Sequence, residues 1–431
     1  MTTLDTSTAS RLLAAWVASG RADLDAHLAT HGPLPAVGRG ERAFGERFVR
    51  ELAESGLTGR GGAGFPTARK LDAVRNARGN PALVVNAMEG EPASHKDRAL
   101  LTTAPHLVLD GAELVGRAIG AHTIALCVAR ERPDTVRSVR QALHQRQGRV
   151  PATVPVEVLE PPGRFVAGEE SALVHWVAGG QAKPTFRPVR GVPLAIGRRP
   201  VLVHNPESLA HAALVARHGA AWFRSVGTAG TPGTALVTVS GAVASPGVFE
   251  VPMGIPLSTV LAPAAPTGTP GALLLAGYGG TWVGPGALDT PYAPESLAAI
   301  GAAMGAGVVG VLPQSACGVA ETARIVAYLA AESAGQCGPC VHGLPAVAAD
   351  LLELARGSGN NATTVRLRER LADIDGRGAC RHPDGAVRLV RSALEVFAAD
   401  VAAHAKRRPC PAWNHRSVLP VPAHHGGAPW R

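Results

Sequence analysis

The first half of the chain alternates short apolar runs of strand length with longer stretches whose apolar residues recur at helical spacing. In chain order these segments are Ala82–Val85, Leu107–Ile119, Thr123–Val128, Pro133–Arg146 and Val154–Leu159. A chain that alternates strand and helix in this way builds a parallel or mixed sheet with helices on its faces. We therefore predict an α/β domain from about residue 46 to 230.

Short β-rich runs replace this alternation from about residue 231 to 315. The runs LVTVSGAV and VFEV flank the turn Ser245-Pro246-Gly247, and the run ALLLAGYGG follows them. Closely spaced strands that are interrupted by Gly and Pro are typical of a small all-β unit. This stretch therefore predicts a second, β-rich domain.

Helical stripes follow from about residue 316 to 408. Their apolar residues recur at i, i+4 and i+7, so each helix has one apolar face. Four helices of this kind pack most simply as a four-helix bundle. The stripes are Ile325/Leu329, Val347/Leu351/Leu354, Leu367/Leu371/Ile374 and Val390/Leu394/Phe397/Val401.

The two ends of the chain carry weaker patterns. Residues 1–45 hold two short helical stretches, Arg11–Ala18 and Leu24–Thr30, and then a Pro/Gly connection. We expect this segment to be an N-terminal helical adapter. Residues 409–431 are rich in Pro, His and Arg and predict a disordered basic tail.

Composition and charge exclude several classes of protein. The 431 residues are 46% apolar, enough to bury several cores. The net charge is +9, but the chain after Ala405 contains five cations and no acidic residue, so the rest carries only +4. So small an excess argues against a nucleic-acid-binding surface.

No segment of the sequence predicts a membrane span. The longest uncharged apolar run, Leu297–Leu312, is rich in Gly and Ala and is shorter than the ~20 residues that a bilayer requires. The first ten residues contain no basic segment followed by an apolar stretch, which is the pattern of a secretory signal. We expect a cytoplasmic protein, or one held at the inner face of the membrane by its partners.

A glycine-rich loop is the first segment with recognisable chemistry. In GLTGRGGAGFPTARK four glycines precede a helical stretch, and Arg60 and Lys70 flank the loop. Glycines allow backbone N–H groups to converge on a phosphate or to lie against a flat ring, and a helix N-terminus favours an anion. The loop therefore predicts a nucleotide or flavin site, although a plain tight turn is the alternative.

Two polar loops and one cationic segment follow. The apolar run ALVV leads into NAMEGEPASHKDR, which puts polar side chains beyond the carboxyl end of a strand, where open α/β sheets bind ligands. FVAGEESAL carries Glu169 and Glu170 just before a helix, where acidic residues also simply complement the helix dipole. KPTF, from Lys183 to Phe186, combines a cation with an aromatic ring.

The cysteines suggest a metal centre. Cys337 and Cys340 form a C-x2-C pair, and Cys380 lies between the third and fourth helical stripes. Thiolates at this spacing suit an iron-sulfur cluster, or a structural zinc ion with a histidine such as His342 or His382 as its fourth ligand. We interpret Cys127 as a core residue and assign no role to Cys410.

Taken in order and spacing, these segments resemble the 51 kDa flavoprotein subunit of NADH:quinone oxidoreductase (complex I) and its relatives in NAD-linked hydrogenases and formate dehydrogenases. The resemblance runs from about residue 46 to 408. It implies a Rossmann-like FMN/NADH domain, a small β-grasp domain of the SLBB type, and a C-terminal four-helix bundle with an iron-sulfur site.

The resemblance also implies which residues bind the cofactors. The family binds FMN with its GRGGAGFPT, NADEGEP, YxxGEE and NNVETLA segments, and it holds NADH between the flavin, aromatic rings and carboxylates. The implied flavin positions are Gly59, Arg60, Gly61, Gly62, Gly64, Lys70, Asn86, Glu89, Gly168, Glu169, Asn205 and Ser208. The implied NADH positions are Phe65, Glu91, Glu170, Lys183 and Phe186, and the implied cluster ligands are Cys337, Cys340 and Cys380.

Three positions depart from the family pattern. Ala334 stands where the family motif ESCGxCxPC has its first cysteine, Met88 replaces an aspartate, and Phe165 replaces a tyrosine. Alanine cannot bind iron. The cluster is therefore a [4Fe-4S] centre that borrows a ligand such as Cys317, His342 or water, or it is a [3Fe-4S] form, or it is absent.

Two functions remain open on these residues. The first is an electron-input subunit that oxidises NADH with FMN and passes electrons through an iron-sulfur cluster to a thioredoxin-like [2Fe-2S] subunit or a ferredoxin-like acceptor, in a hetero-oligomer. The second is a flavin-binding or assembly module that has lost or altered its redox activity.

Overall fold

The computed structural model describes residues 3–4, 10–35, 41–186, 192–422 and 429–431. Parts of the predicted adapter, connection and tail therefore lie outside the described residues. Among those described, no helix has the length and the hydrophobicity to cross a membrane.

The N-terminal segment packs onto both following domains. It contains β1 (Thr3–Leu4), α1 (Ala14–Ser19) and α2 (Leu24–His31). Thr3 pairs in parallel with Gly247 of the second domain, and Glu250 accepts hydrogen bonds from the backbone N–H groups of Leu12 (2.9 Å) and Leu13 (3.3 Å). The adapter is thus built into the fold, because its polar backbone groups find their partners some 240 residues away.

The α/β domain contains one five-stranded sheet between helices. Its elements are α3 (Glu41–Ser55), α4 (Thr67–Arg75), β2 (Ala82–Ala87), α5 (Lys96–Thr103), α6 (Pro105–Ile119), β3 (Ile124–Val128), α7 (Pro133–Arg146), β4 (Val156–Leu159), α8 (Glu170–Val177), β5 (Leu194–Ile196), β6 (Arg199–His204) and α9 (Pro206–Arg224). The strand order is β4-β3-β2-β6-β5, parallel except for β5.

The helix α6 forms the centre of this domain. Nearly all of its residues are buried, and it crosses α9 so closely that a Cβ on Gly111 would lie 1.9 Å from the backbone oxygen of Leu209. Only glycine permits this approach. The close crossing brings the N-terminus of α9 beneath the sheet edge where the polar loops meet.

The second domain is a mixed β sheet. Its elements are β7 (Thr234–Gly241), β8 (Gly247–Pro252), α10 (Leu257–Leu261), β9 (Pro270–Leu275), β10 (Thr281–Val283), α11 (Pro294–Ala299) and β11 (Val308–Pro313). The strand order is β1-β8-β7-β11-β9-β10, and β7 pairs in parallel with β11. This arrangement agrees with the predicted small β domain.

The C-terminal bundle contains α12 (Gly318–Ala331), α13 (Leu344–Ala355), α14 (Asn361–Ile374), α15 (His382–Val396) and α16 (Ala398–Ala405). The fourth predicted stripe is therefore divided between α15 and α16, which meet at Phe397. The cysteine pair lies in the loop and π-helical turn between α12 and α13.

The described part of the C-terminal segment differs from the expectation of a disordered tail. Leu419 is 3% exposed and packs with the bundle core. Ser417 donates to Glu321 at 2.7 Å, and the N–H of Val418 donates to the same carboxylate at 3.1 Å. A few apolar and hydroxyl side chains in a Pro-rich sequence are thus enough to order residues 409–422.

Candidate functional site

The glycine-rich loop is a closed turn that leads into α4. The N–H of Gly59 donates to the backbone oxygen of Phe65 at 2.8 Å. Gly62 and Gly64 have φ angles of +115° and +61°, which favour glycine. A Cβ on Gly64 would meet no atom within 4 Å. The loop therefore leaves open space along its backbone, as a flat ring or a phosphate requires.

The N-terminus of α9 holds this loop in place. Asn205 caps α9 by accepting from the N–H of Ser208 at 3.0 Å, and its amide donates to the backbone oxygen of Arg60 at 3.3 Å. The N–H of Arg60 donates to the hydroxyl of Ser208 at 2.8 Å. Two sequence-predicted segments, 145 residues apart, therefore form one structure.

The other two polar loops also interlock. The amide of Asn86 donates to the backbone oxygen of Gly168 at 2.8 Å. A Cβ on Gly90 would lie 2.5 Å from the backbone oxygen of Phe165, so a side chain there would push the loops apart. The predicted Asn86–Glu91 and Phe165–Glu170 segments thus line the same cleft.

Glu89 supports its own loop. Its carboxylate accepts from the N–H groups of Asp97 (2.8 Å) and Arg98 (3.2 Å) at the start of α5, and from Arg132 at 3.0 Å. Burial, followed by the charge of Asp97, raises the pKa of Glu89 to about 7. Since both oxygens already accept hydrogen bonds, its first role is to shape the loop.

Glu91 connects the α/β domain to the second domain. Its carboxylate accepts from the N–H of Tyr278 at 2.8 Å and from that of Ala93 at 3.2 Å. Burial raises the pKa of Glu91 to about 7, although these two N–H groups lower it in part. A carboxyl group with such a pKa changes its charge near neutral pH.

The adjacent carboxylates Glu169 and Glu170 have different roles. Glu169 caps α8 by accepting from the N–H groups of Ser171 (2.9 Å) and Ala172 (3.1 Å), which agrees with the helix-dipole alternative. Glu170 instead forms an ion pair with Lys70 across the cleft. Both side chains line cavities: Glu169 lies with Asn86 and Asn205, and Glu170 lies with Phe65 and Lys70.

A buried ion network lies under the site. Lys96 and Asp97 belong to the predicted polar segment NAMEGEPASHKDR, but no motif predicts the pairing of Lys96 with Glu207. The ammonium group of Lys96 lies 2.7 Å from Asp97 and 2.9 Å from Glu207, and all three side chains are buried. Burial alone would lower the pKa of Lys96, but these carboxylates raise it. The rarity of lysine was the available signal, since Lys96 is one of only four in the chain.

The predicted residues divide among three cavities and one separate surface. Gly59, Gly62 and Gly64 line a cavity of about 190 Å³ that Lys96 and Glu207 also line. A cleft of about 220 Å³ is lined by the interlocked loops, including Arg60, Gly61, Asn86, Glu91, Gly168 and Asn205. A neighbouring cleft of about 270 Å³ is lined by Phe65, Lys70 and Glu170. Lys183 and Phe186 are not among the described lining residues of either cleft.

Lys183 instead contacts the C-terminal segment. Its ammonium lies 5.1 Å from the ring centre of Trp430, and the guanidinium of Arg164 lies 4.3 Å from the same ring. The backbone oxygen of Trp430 accepts from the N–H of Ala182 at 2.8 Å. Phe186 is 72% exposed. The structure therefore does not bring these two predicted NADH contacts onto the clefts.

Two of the family departures have apolar surroundings. Met88 is 2% exposed and belongs to the core cluster under the sheet. The ring of Phe165 packs edge-on against Tyr328 and tilted against His382. Both side chains therefore add packing where the family has hydrogen-bonding groups.

The three predicted cluster cysteines lie near one another. The N–H of Cys340 donates to the backbone oxygen of Cys337 at 3.0 Å. Burial raises the pKa of Cys380, and the charges of Glu169 and Cys337 raise it further. The ring of Phe165 lies 5.3 Å from the ring of His382, two residues after Cys380. The cysteine loop therefore lies beside the flavin-side loop, where an iron-sulfur cluster would exchange electrons with a flavin.

The structure brings neither Cys317 nor His382 to this site as a fourth ligand. Ala334 is buried, and the ring nitrogen Nε2 of His382 bonds the backbone oxygen of Leu329 at 2.8 Å. Cys317 lies beside His404 instead. Among the described residues, no group of ligand atoms that converges within 4.8 Å includes Cys337, Cys340 or Cys380, so a single zinc ion fits them less well than a larger cluster.

Three family models match the chain. The Nuo51 FMN-binding domain matches residues 52–213, the SLBB domain matches residues 236–265, and the NADH-ubiquinone oxidoreductase-F iron-sulfur binding region matches residues 320–404. The three matches follow the order of the α/β domain, the mixed β domain and the helical bundle, and each lies within its domain. The predicted fold class is confirmed.

Individual relatives extend over most of the chain. The second NADH-quinone oxidoreductase F subunit of Rhizobium meliloti (strain 1021) is 33% identical over 394 residues, which cover 86% of this chain and 92% of that protein. The HndC subunit of the NADP-reducing hydrogenase of Solidesulfovibrio fructosivorans is 30% identical over 375 residues, covering 84% and 76%.

A solved structure agrees with these relatives. The NAD+-reducing [NiFe]-hydrogenase in its H2-reduced state contains a chain that superimposes with a TM-score of 0.81 at 30% identity, covering 94% of this chain and 68% of that one. The chain therefore belongs to the family of NADH-quinone oxidoreductase F subunits, the FMN-dependent, NADH-oxidising electron-input subunits.

Proposed function

We propose that this subunit oxidises NADH on FMN held by the interlocked loops and delivers the electrons to a cluster on Cys337, Cys340 and Cys380. From there they pass to a thioredoxin-like [2Fe-2S] subunit or a ferredoxin-like acceptor, within a hetero-oligomer in the cytoplasm or at the inner face of the membrane. The observation that carries the proposal is the convergence of three loops, distant in sequence, on one cleft that Phe165 lines next to the cysteine loop.

The residues around the cleft fit a flavin. The open space above Gly64 suits the flat ring, and the N-terminus of α9 at Asn205 suits polar or anionic groups. Lys70 supplies a cation at the mouth of the loop. Burial and the charge of Lys70 lower the pKa of His204 to about 3, so that imidazole is neutral and adds no competing charge.

FMN, when bound, accepts a hydride from NADH and releases the electrons singly. The chain's own residues bind and orient the two partners. Phe65, which is 45% exposed, offers a face on which a nicotinamide or adenine can stack. The carboxylates of Glu170 and Glu91 accept hydrogen bonds from ribose hydroxyls and disfavour a 2′-phosphate. We assign Lys183 and Phe186 to the outer part of the NADH site.

The proposal assigns Lys70 to FMN and Glu170 to NADH, and substitution of each residue tests this assignment. Lys70→Met removes a cation proposed for FMN, so the purified variant should lose bound flavin. Glu170→Gln removes a proposed NADH contact, so the variant should keep its flavin but show a KM for NADH raised by about tenfold, the size of one charged hydrogen bond. Lys406→Met, at an exposed position, is the matched control.

The measurements are flavin and iron content after anaerobic purification, and NADH oxidation with ferricyanide. A colourless wild-type protein, even after reconstitution, would contradict the whole proposal. Bound flavin with no NADH oxidation would instead favour the alternative of a redox-inactive assembly module, which the missing thiol at Ala334 motivates. Equal flavin loss in the Lys406→Met control would contradict the role of Lys70.

A further inference from the structure

A second set of metal-binding side chains lies at the far end of the bundle. The ligand atoms of Cys317, His404 and Cys410 all lie within 4.8 Å of one another. Cys317 and His404 are buried, and Cys410 is half-buried. Within the described part of the chain, no other group of His, Cys, Asp or Glu meets this criterion.

The three residues come from different parts of the fold. Cys317 caps α12, and its sulfur accepts from the N–H of Ala320 at 3.4 Å. His404 lies in the last turn of α16, and Cys410 begins the C-terminal segment. Burial raises the pKa of the Cys317 thiol to about 12, so an ion that binds there has to displace the thiol proton.

The imidazole of His404 is oriented as a ligand. Its Nδ1 lies 3.0 Å from the backbone oxygen of Leu354, and a carbonyl only accepts, so Nδ1 carries the proton. The other nitrogen, Nε2, is then unprotonated and faces the two thiols. A histidine that donates one ring N–H to a backbone carbonyl is the usual outer-shell arrangement of a metal ligand.

The spacing also suits a tetrahedral ion. Zinc bonds of about 2.3 Å to sulfur and about 2.1 Å to nitrogen hold neighbouring ligand atoms about 3.6 Å apart. The sulfur of Cys317 lies 3.7 Å from Nε2 of His404. Nε2 also accepts from the N–H of Cys410 at 3.1 Å, a hydrogen bond that a bound ion would displace.

We propose that Cys317, His404 and Cys410 bind one Zn²⁺ ion, with the fourth position left to water. Thiolate and imidazole ligands select zinc over the hard cations. The site is separate from the cluster cysteines, and it engages Cys317, which the sequence also allows as a substitute cluster ligand. It is a structural site, because the ion joins the start of α12 to the end of α16 and to the C-terminal segment.

The consequence for the fold is a fixed C-terminal segment. After Cys410 the chain passes over α12, where Ser417 and Val418 donate hydrogen bonds to Glu321. It then reaches β11, where the side chain of Leu419 would lie 2.9 Å from a Cβ on Gly310. Loss of the ion should release this segment. The side chain of Arg416 is exposed, and release of the ordered segment around it would let trypsin bind and cut the bond after Arg416.

The experiment measures zinc and iron in the same samples of the full chain, purified with zinc present and dialysed against a mild chelator. The wild type should retain about one zinc per chain. Cys410→Ala should lose it with its iron content unchanged, and trypsin should cut the variant after Arg416 at least tenfold faster. Cys127→Ala, at a buried cysteine in β3, is the control and should keep both metals.

If Cys410→Ala does not fold, the proposal can still be tested on the wild-type protein. Titration of the wild type with a mercurial thiol reagent should release one equivalent of zinc to a colorimetric chelator. Three results would overturn the proposal: a wild type that holds no zinc, zinc retained in Cys410→Ala but lost in Cys380→Ala, or a Cys317–Cys410 disulfide in the intact mass under non-reducing conditions.

Discussion

The guanidinium of Arg164 donates to the carboxylate of Glu332 at 2.8 Å, across the boundary between the α/β domain and the helical bundle. The two side chains are 7% and 2% exposed. The same carboxylate accepts from the N–H of Phe165 at 3.1 Å. Because Glu332 lies two residues before Ala334, one side chain fixes the flavin-side loop relative to the cysteine loop.

We expect Glu332→Gln to weaken this boundary. The substitution removes the negative charge that faces the buried guanidinium of Arg164, and breaking a buried pair from one side costs about 3 to 5 kcal/mol. The measurement is the free energy of unfolding by denaturant titration. Glu353→Gln, at a half-exposed carboxylate of the same bundle, should have a much smaller effect, and an equal loss in both variants would contradict the prediction.

The site loops could be predicted because parallel strands end at one edge of a sheet. The segments after β2 and β6 meet there, so Asn86 and Asn205 converge although they are far apart in sequence. The separate roles of Glu169 and Glu170 could not be predicted, because helix capping depends on the N–H groups of Ser171 and Ala172 and both carboxylates stand at the same helix start.

Long-range pairings account for the remaining differences. The pairing of Thr3 with Gly247 and the contacts of Leu419 leave no trace in local periodicity. The same is true of the set formed by Cys317, His404 and Cys410, since their sequence spacing matches no familiar metal motif. These contacts could be identified only in the three-dimensional structure.

Stability should fall with rising pH because of Glu91. Burial raises its pKa from 4.5 to about 7, so the folded state binds the proton more tightly than the unfolded state does. Stability is then fully present below about pH 4.5 and is lost as the pH rises through about 7. Glu91→Gln should flatten this decline, measured as unfolding free energy against pH, whereas the exposed control Glu54→Gln should not alter it.

Removal of the Trp430 side chain should improve NADH binding. Its indole covers Lys183, which we assign to the NADH site, and a cation–π contact of about 0.5 to 1 kcal/mol must be given up before Lys183 meets a ligand. Trp430→Ala should therefore lower the KM for NADH about threefold with kcat unchanged. Trp222→Ala, which removes a cation–π contact with Arg11 elsewhere, is the control, and a raised KM in Trp430→Ala would mean that the indole belongs to the binding site.

Restoring the missing thiol should enlarge the cluster. Ala334 is buried beside the cysteine loop, and the hydroxyl of the preceding Ser333 contacts Cys340, so the backbone already brings position 334 to the thiols. With three thiolates the wild type should hold about three irons per flavin, and Ala334→Cys about four, because each corner iron needs one protein ligand.

The iron-to-flavin ratio after anaerobic reconstitution and the electron paramagnetic resonance spectrum of the oxidised protein check this prediction. Ala349→Cys adds a thiol on the exposed face of α13 and should leave both unchanged. An equal ratio of about four in the wild type would mean that water or another group already binds the fourth iron. In that case alanine at position 334 would leave the size of the cluster unchanged and alter its reduction potential instead. The potential changes because a thiolate and a neutral ligand stabilise the oxidised cluster to different extents.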